Sequence, residues 1–326
     1  MTETGSPDVL EISDFPDPKI LEDHQIIVKL ESSGINPVDA KQRKNGTVFP
    51  AKPPHILGID GAGTVMEKGR KVTRVQEGTP VYFMNGGIGK HPGTYSQYCM
   101  IDEAFAAVIP KGLSYTQAAA IPLAFLTAWE TLFDRIRLKK GEKILIHAGA
   151  GGVGHFAVQL ARIAGARVCT TVSSPEKKIL VEKLGAEKAI FYRESDFVEE
   201  VLDWTEGKGV DCAVETVGGE HTSRTVSAIR AYGRIGMLLD PGVSNWKEAR
   251  LKNILCGLEM VLTPQYYDIR EGRIRHRRIL EEQASYFESG ALQVHIERKF
   301  ALEEARDAHR LLEERHATGK YVLCSQ

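Results

Sequence analysis

Short apolar runs broken by glycine and proline dominate residues 9 to about 110. VLEI, QIIVKLESSGI, GTVMEKG, TPVYFM and YSQYCMI read as strands between turn clusters such as Pro50-Ala51-Lys52-Pro53-Pro54. That spacing predicts a small β-barrel-like domain. From Tyr115 the pattern changes: apolar stretches at Lys143–His147, Arg167–Val172, Lys188–Tyr192, Val210–Val217 and Arg234–Leu239 alternate with helical periodicity. Alternation of this kind predicts an α/β fold, a parallel sheet wound on both faces.

After about Leu262 the alternation stops. Arg273 to Phe287 and Glu303 to Glu314 read as helices, the second with Ala305, Ala308, Leu311 and Leu312 on one face. Thr318-Gly319-Lys320 breaks that helix ahead of a strand, Tyr321–Cys324. A tail that returns to strand predicts reunion with the first domain, around an inserted wound sheet: 1–115, then 116–260, then 261–326. No internal repeat or low-complexity linker interrupts this order.

Composition narrows the function. The 326 residues carry 42 Lys+Arg against 43 Asp+Glu, a formal charge of −1, so partners that need summed positive charge, nucleic acid above all, are disfavoured. The basic run Arg270–Arg278 reads as a solvated helix face. Five cysteines, scattered and without a Cys-x-x-Cys pair, suggest neither a disulfide framework nor a zinc knuckle, and the default is a reducing cytoplasm. The acidic start lacks a secretory signal, and the stretch Ala118 to Trp129, interrupted by Pro122, is too short to span a bilayer. No histidine spacing suggests a metal site, and no G-x-S-x-G elbow suggests a hydrolase.

The strongest local signal lies in KILIHAGAGGVGHFAVQLARIAGA, where a strand and an amphipathic helix, Val153–Ala164, flank Gly149-x-Gly151-x-x-Gly154. Glycines there allow a tight turn and close approach of ligand oxygens to backbone amides, and the helix N-terminus adds about +0.5 charge. A dinucleotide pyrophosphate fits that arrangement better than a turn that merely packs.

An acidic residue at the end of the second strand would hold a ribose 2′-hydroxyl, and this chain has none. Ser173, Ser174 and Lys177 stand there instead, with Pro175 positioned as a first helical residue. The set favours a 2′-phosphate, hence NADPH over NADH. The same residues also allow a plain helix cap with a solvated lysine, and Glu176 counts against the phosphate.

These residues resemble the medium-chain dehydrogenase/reductase superfamily, in its zinc-free quinone oxidoreductase-like branch. The resemblance rests on Gly34-Ile35-Asn36-Pro37-Val38-Asp39, Gly58-x-Asp60-x-x-Gly63-x-Val65, Ala148-x-x-Gly151-Gly152-Val153-Gly154, Val172-Ser173-Ser174-x-x-Lys177, Leu184-Gly185-Ala186, Gly209-Val210-Asp211 through Val217-Gly218-Gly219, and Gly319-Lys320-x-Val322-Leu323. It implies a GroES-like β-barrel-type catalytic domain split around a Rossmann domain, assembled as a homodimer. The chain begins only a few residues before Gly5-Ser6-Pro7-Asp8-Val9-Leu10, so the family's opening strand is expected to be shortened.

The resemblance also implies roles. Gly149, Ala150, Gly151, Gly152, Val153, Gly154, Ser173, Ser174, Lys177, Tyr192 and Val217 would bind NADPH, with Tyr192 joining Lys177 at the 2′-phosphate and Thr127 beside the nicotinamide. Asn36 would face the acceptor and hydrogen-bond its carbonyl oxygen, with Phe49, Phe83 and Phe125 as candidate pocket walls; each has a duller reading as turn, helix or core residue. Zinc-dependent relatives carry ligands where this chain has Asn36, Ile59 and Leu123, so no catalytic zinc is expected. The function implied is NADPH-dependent hydride transfer to an electrophilic small molecule, a quinone or related conjugated carbonyl. A 2-enal, enone or enoyl double-bond reductase and a catalytically silent NADPH-binding sensor are the alternatives.

Overall fold

The computed structural model describes residues 1–49, 53–242, 246–314 and 317–325, so residues 50–52 of the expected proline-rich turn lie outside the described residues. Two units divide the chain: Met1–Leu126 with Leu262–Gln326, and Thr127–Val261.

In the first unit, Ile26, Val28 and Leu30 alternate inward along β1 (Gln25–Gly34), and they meet Val65, Val81, Phe83, Cys99 and Ile101 in one apolar cluster. Those partners come from β2 (Asp60–Lys68), β3 (Pro80–Met84) and β4 (Tyr98–Asp102), and β5 (Ala107–Val108) closes on β3. Each fully buried side chain of this size contributes about 1.5–3 kcal/mol. β1 pairs antiparallel with β2 on one side, Gly34 opposite Asp60, and with β4 on the other, Ile26 opposite Ile101. The expected strand at VLEI does not form. Pro7–Val9 is a 3-10 turn whose start is held by the Ser6 hydroxyl accepting from Asp8 N, and residues 10–12 pair with no strand among the described residues.

The second unit is a six-stranded parallel sheet. Its strands are β6 (Lys143–Ile146), β7 (Arg167–Val172), β8 (Lys188–Phe191), β9 (Val210–Glu215), β10 (Ile229–Met237) and β11 (Leu255–Leu258). Their order, β11-β10-β9-β6-β7-β8, is two three-stranded halves meeting between β6 and β9. In doubly wound sheets the ligand lies outside the carboxyl ends of the strands at this reversal. Leu145, Cys169, Ile190, Ala213 and Ile235 form the central layer, with Phe197, Val201 and Val226 packed on it from the helices. β11 is not legible in the sequence as a strand, because it is short and mostly exposed.

The tail supplies β12 (Ile296–Ala301) and β13 (Lys320–Cys324), and β13 pairs antiparallel with β1, Gly34 opposite Val322. The chain therefore returns to its first unit, as its closing strand pattern predicts. The helix expected over Arg273 to Phe287 is two, Arg270–Glu282 and Ala284–Glu288, separated at Gln283. Its basic run is not a solvated face throughout. Arg277 is buried and donates to Ala104 O, while Arg273 donates to Asn85 Oδ1 at 2.6 Å and lies over the Phe105 ring. Among the described residues no helix is long and apolar enough to cross a membrane.

Candidate functional site

The turn after β6 is tight and rich in glycine. A Cβ on Gly154 would lie 2.1 Å from Ala148 O, and one on Gly149 would lie 2.0 Å from Thr170 Oγ1, so neither position accepts a side chain. Gly151 N is spent on Ala148 O and Gly149 N on Thr171 O, which leaves the amides of Ala150, Gly152 and Val153 without partners among the described residues. The helix Gly154–Ile163 starts directly behind them. Unpaired amides at a helix start are what an anion needs.

At the end of β7, Ser174 caps the helix Pro175–Leu184 with extended backbone, and its Oγ accepts from Lys177 N at 3.4 Å. A hydrogen bond from Ser174 also holds the Glu176 carboxyl below its ordinary pKa, so the first helical turn carries a negative charge beside the expected phosphate position. Ser173 and Lys177 are on the same segment. After β8, Tyr192 is half exposed, and the Arg193 guanidinium lies 5.8 Å from its ring centre. Arg193 is a second cation at this end, unnoticed in the sequence because it follows a strand rather than opening a helix.

The end of β9 carries a buried polar hub. Glu215 Oε1 accepts from Val217 N and, at 3.0 Å, from Gly218 N; Oε2 accepts from His221 Nδ1 at 2.8 Å and from the Thr225 hydroxyl at 2.6 Å. Burial raises this carboxyl, but the His221 hydrogen bond and the neighbouring imidazoles outweigh it and hold the pKa down to about 2. Burial pushes His147 down to about 3, so its ring is neutral. The ligand atoms of His147, Glu215 and His221 lie within 4.8 Å of one another, a grouping that could suggest a cation site. Thr225 Oγ1, 3.0 Å from His147 Nε2, stands among them, so hydrogen bonds already fill the space an ion would take. Val217 is half exposed at the tip of this turn.

Asn36 belongs to a second buried cluster. It caps the helix Pro37–Asn45, and its own N–H donates to Asp39 Oδ2 at 2.8 Å. Its Nδ2 donates to Asp60 Oδ2 at 2.9 Å, and its Oδ1 accepts from Lys320 Nζ. Lys320 also donates to Ile35 O and lies 3.6 Å from Asp60. The register explains the convergence, since Gly34 pairs with Asp60 on one side and Val322 on the other. Burial lowers Lys320 and raises Asp60, and each offsets the other; burial also raises Asp39 to about 7. Of the three zinc-equivalent positions, Asn36 has its oxygen committed to an ammonium group, and Ile59 and Leu123 offer no donor. This residue set does not fit a zinc ion.

Asn36 itself is almost wholly buried, with one Nδ2 hydrogen left to donate. Thr127 is also nearly buried, and its carbonyl accepts from the Thr131 hydroxyl at 2.7 Å. Phe49 is partly exposed, 5.0 Å from the Tyr266 ring centre and beneath the Lys90 ammonium. Phe125 differs from expectation. It has no exposed surface and packs against Phe287, so the structure gives it a core role rather than a pocket wall.

Residues 22–111 match the family model described as "Alcohol dehydrogenase GroES-like domain", and residues 184–323 match "Zinc-binding dehydrogenase". The chain is 32% identical to a quinone oxidoreductase of Pseudomonas aeruginosa, over 98% of this chain and 96% of the relative. It is 32% identical to a 2-methylene-furan-3-one reductase of Solanum lycopersicum, over 99% of this chain and 77% of that one. The solved structure of Escherichia coli quinone oxidoreductase complexed with NADPH superposes with a TM-score of 0.86 at 30% identity, covering 99% of this chain and 98% of the other. Joined to the strand order, the glycine turn and the returning tail, these likenesses make the chain an oxidoreductase belonging to the medium-chain dehydrogenase/reductase superfamily, in its quinone oxidoreductase-like branch.

Proposed function

We propose that the chain is an NADPH-dependent reductase of quinones or related conjugated carbonyls that works without zinc. Bound NADPH would supply the hydride. The Ala150, Gly152 and Val153 amides would hold its pyrophosphate, and Ser173, Lys177, Tyr192 and Arg193 its 2′-phosphate. The observation that carries the metal-free part is the Lys320 ammonium against Asn36 Oδ1, where a zinc enzyme needs ligands. Lys320 and Asp60 fix the Asn36 amide so that its remaining Nδ2 hydrogen can be donated to the acceptor oxygen as that oxygen gains negative charge. Thr127 would orient the nicotinamide and Phe49 would line the acceptor site. The reaction takes one hydride and one proton to the quinone and leaves NADP⁺ and hydroquinone.

A 2-enal or enone double-bond reductase is the second reading, favoured by the likeness to the tomato furanone reductase. It needs a proton donor to Cα as well as the hydride. NADPH oxidation with 1,2-naphthoquinone, set against trans-2-hexenal, separates the two. Turnover of the quinone alone supports the first reading, turnover of the enal alone the second. Saturable NADPH binding with neither turned over leaves the silent sensor. The exposed apolar edge of β11 supports a homodimer, and the five free cysteines suit a reducing cytoplasm.

A further inference from the structure

The reversal between β6 and β9 separates the two mononucleotide halves of a doubly wound sheet, and strands on the β9 side serve the nicotinamide half. Two loops leave the sheet there. One is the glycine turn after β6; the other is the turn after β9 that presents Val217. The hub around Glu215 joins them. On the β9 side its Oε1 gathers the amides of Val217 and Gly218. Its Oε2 takes the hydroxyl hydrogen of Thr225, on the helix Glu220–Ser227 after β9, and from there the bonds cross to the β6 side: Thr225 Oγ1 lies 3.0 Å from His147 Nε2, and His147 Nδ1 lies 3.4 Å from Thr171 Oγ1. Thr171 Oγ1 in turn accepts Ala148 N at 3.0 Å, at the root of the glycine turn, and Thr216 Oγ1 donates to His147 O at 3.2 Å.

The donors run in one direction. Thr225 has a single hydrogen, and the shorter contact gives it to Glu215. His147 then carries its hydrogen on Nε2 and accepts the Thr171 hydroxyl on Nδ1, the tautomer this network selects. Four donors converge on one carboxylate that has no exposed surface, and a charged acceptor holds them more firmly than a neutral one.

We infer that Glu215 is a positioning residue that locks the Val217 turn to the glycine turn across the sheet reversal, setting affinity for the nicotinamide half of the dinucleotide. This rests on the dinucleotide reading proposed above. Glu215→Gln keeps the volume and one oxygen for the two amides. It also presents an N–H pair to Thr225 and His221, so the direction of the network breaks. Thr225→Val removes only the bridging hydroxyl.

Isothermal titration of the full chain with NADPH and with 2′,5′-ADP, which lacks the nicotinamide half, tests the role. Glu215→Gln should raise the Kd for NADPH about tenfold and Thr225→Val about threefold, the loss of a charge-assisted and a neutral hydrogen bond respectively. Both should leave 2′,5′-ADP within twofold of wild type, which a general loss of structure would not. Unchanged NADPH affinity in folded Glu215→Gln, or equal weakening of both ligands, overturns the role. If Glu215→Gln fails to fold, Thr225→Val decides by the same comparison. Wild type that takes up neither ligand overturns the dinucleotide reading, and this inference with it.

Discussion

Lys320 Nζ donates to Asn36 Oδ1, so a residue of the last strand fixes the amide of a residue that follows the first. The same ammonium lies 3.6 Å from the Asp60 carboxylate, and both groups are out of contact with water. Breaking one partner of such a pair leaves the other buried and unpaired. Lys320→Met should therefore lose about 3–5 kcal/mol of unfolding free energy in urea titrations. Adding Asp60→Asn should recover part of it, since the stranded charge is gone. A single-variant loss below about 1 kcal/mol would show that the pair is hydrated.

Gly154→Ala tests the phosphate cradle. The new methyl would sit 2.1 Å from Ala148 O, so the turn must open by more than an ångström. We expect a loss of NADPH affinity of about tenfold or more, with a smaller fall in Tm, because the displaced turn carries the unpaired amides. Gly151→Ala, whose methyl would meet Ala148 O at 3.2 Å, should be milder. Equal effects at the two positions would argue against the cradle.

Cofactor choice should follow the cations at the ends of β7 and β8. If the proposed 2′-phosphate site is right, Lys177→Ala and Arg193→Ala should each raise the Kd for NADPH about tenfold while leaving NADH within about twofold, since each would remove a charge-assisted contact to the 2′-phosphate alone. Glu176→Gln should act in the opposite direction by relieving repulsion. Tighter binding of NADH than NADPH by wild type would refute the assignment.

Much of this was legible in the chain. Strand–glycine–helix punctuation around Gly149 to Gly154 and Pro175 after Ser174 carry their own stereochemical requirements, so local sequence is enough. The Asn36 cluster was only half legible. Asn-Pro-x-Asp signals a capped helix, yet the approach of Lys320 depends on a strand register set by residues almost a full chain apart. Phe125 shows the converse limit. An aromatic in an apolar helix looks the same whether it lines a pocket or fills a core, and only its contact with Phe287 decides. Glu215 falls inside the strand pattern Val210–Val217 and carries no signal of its own, because its charge is satisfied by a turn and a helix that the periodicity does not relate to it.

Asp39 should give the protein a pH-dependent stability. Burial raises its folded pKa to about 7 from an ordinary 3.8, so the folded state holds the proton more tightly than the unfolded one. Its stabilising contribution is complete below the unfolded value and is lost as pH rises through 7. Glu259, raised above the usual carboxylate range by burial and by Glu130 beside it, adds a loss of the same sign. His147 and His309, each held near 3 by burial, act oppositely and cost stability as pH falls below about 6.5. Tm measured from pH 5 to pH 8 should fall less in Asp39→Asn than in wild type, and parallel curves would remove Asp39 from the account.

The edge of the parallel sheet makes the last prediction. β11 is its terminal strand, and Leu255 is 55% exposed, Leu258 65% and Met260 52%, with Cys256 also at the surface. An exposed apolar edge strand offers both unpaired backbone groups and a hydrophobic face, so it either associates or aggregates. Pairing with the same edge of a second copy satisfies both and closes the assembly at two chains. Leu258→Lys places a charge on that edge without touching the buried layer. Sedimentation velocity should show wild type as a dimer and the variant as a folded monomer with unchanged NADPH affinity. A variant that stays dimeric would move the interface elsewhere.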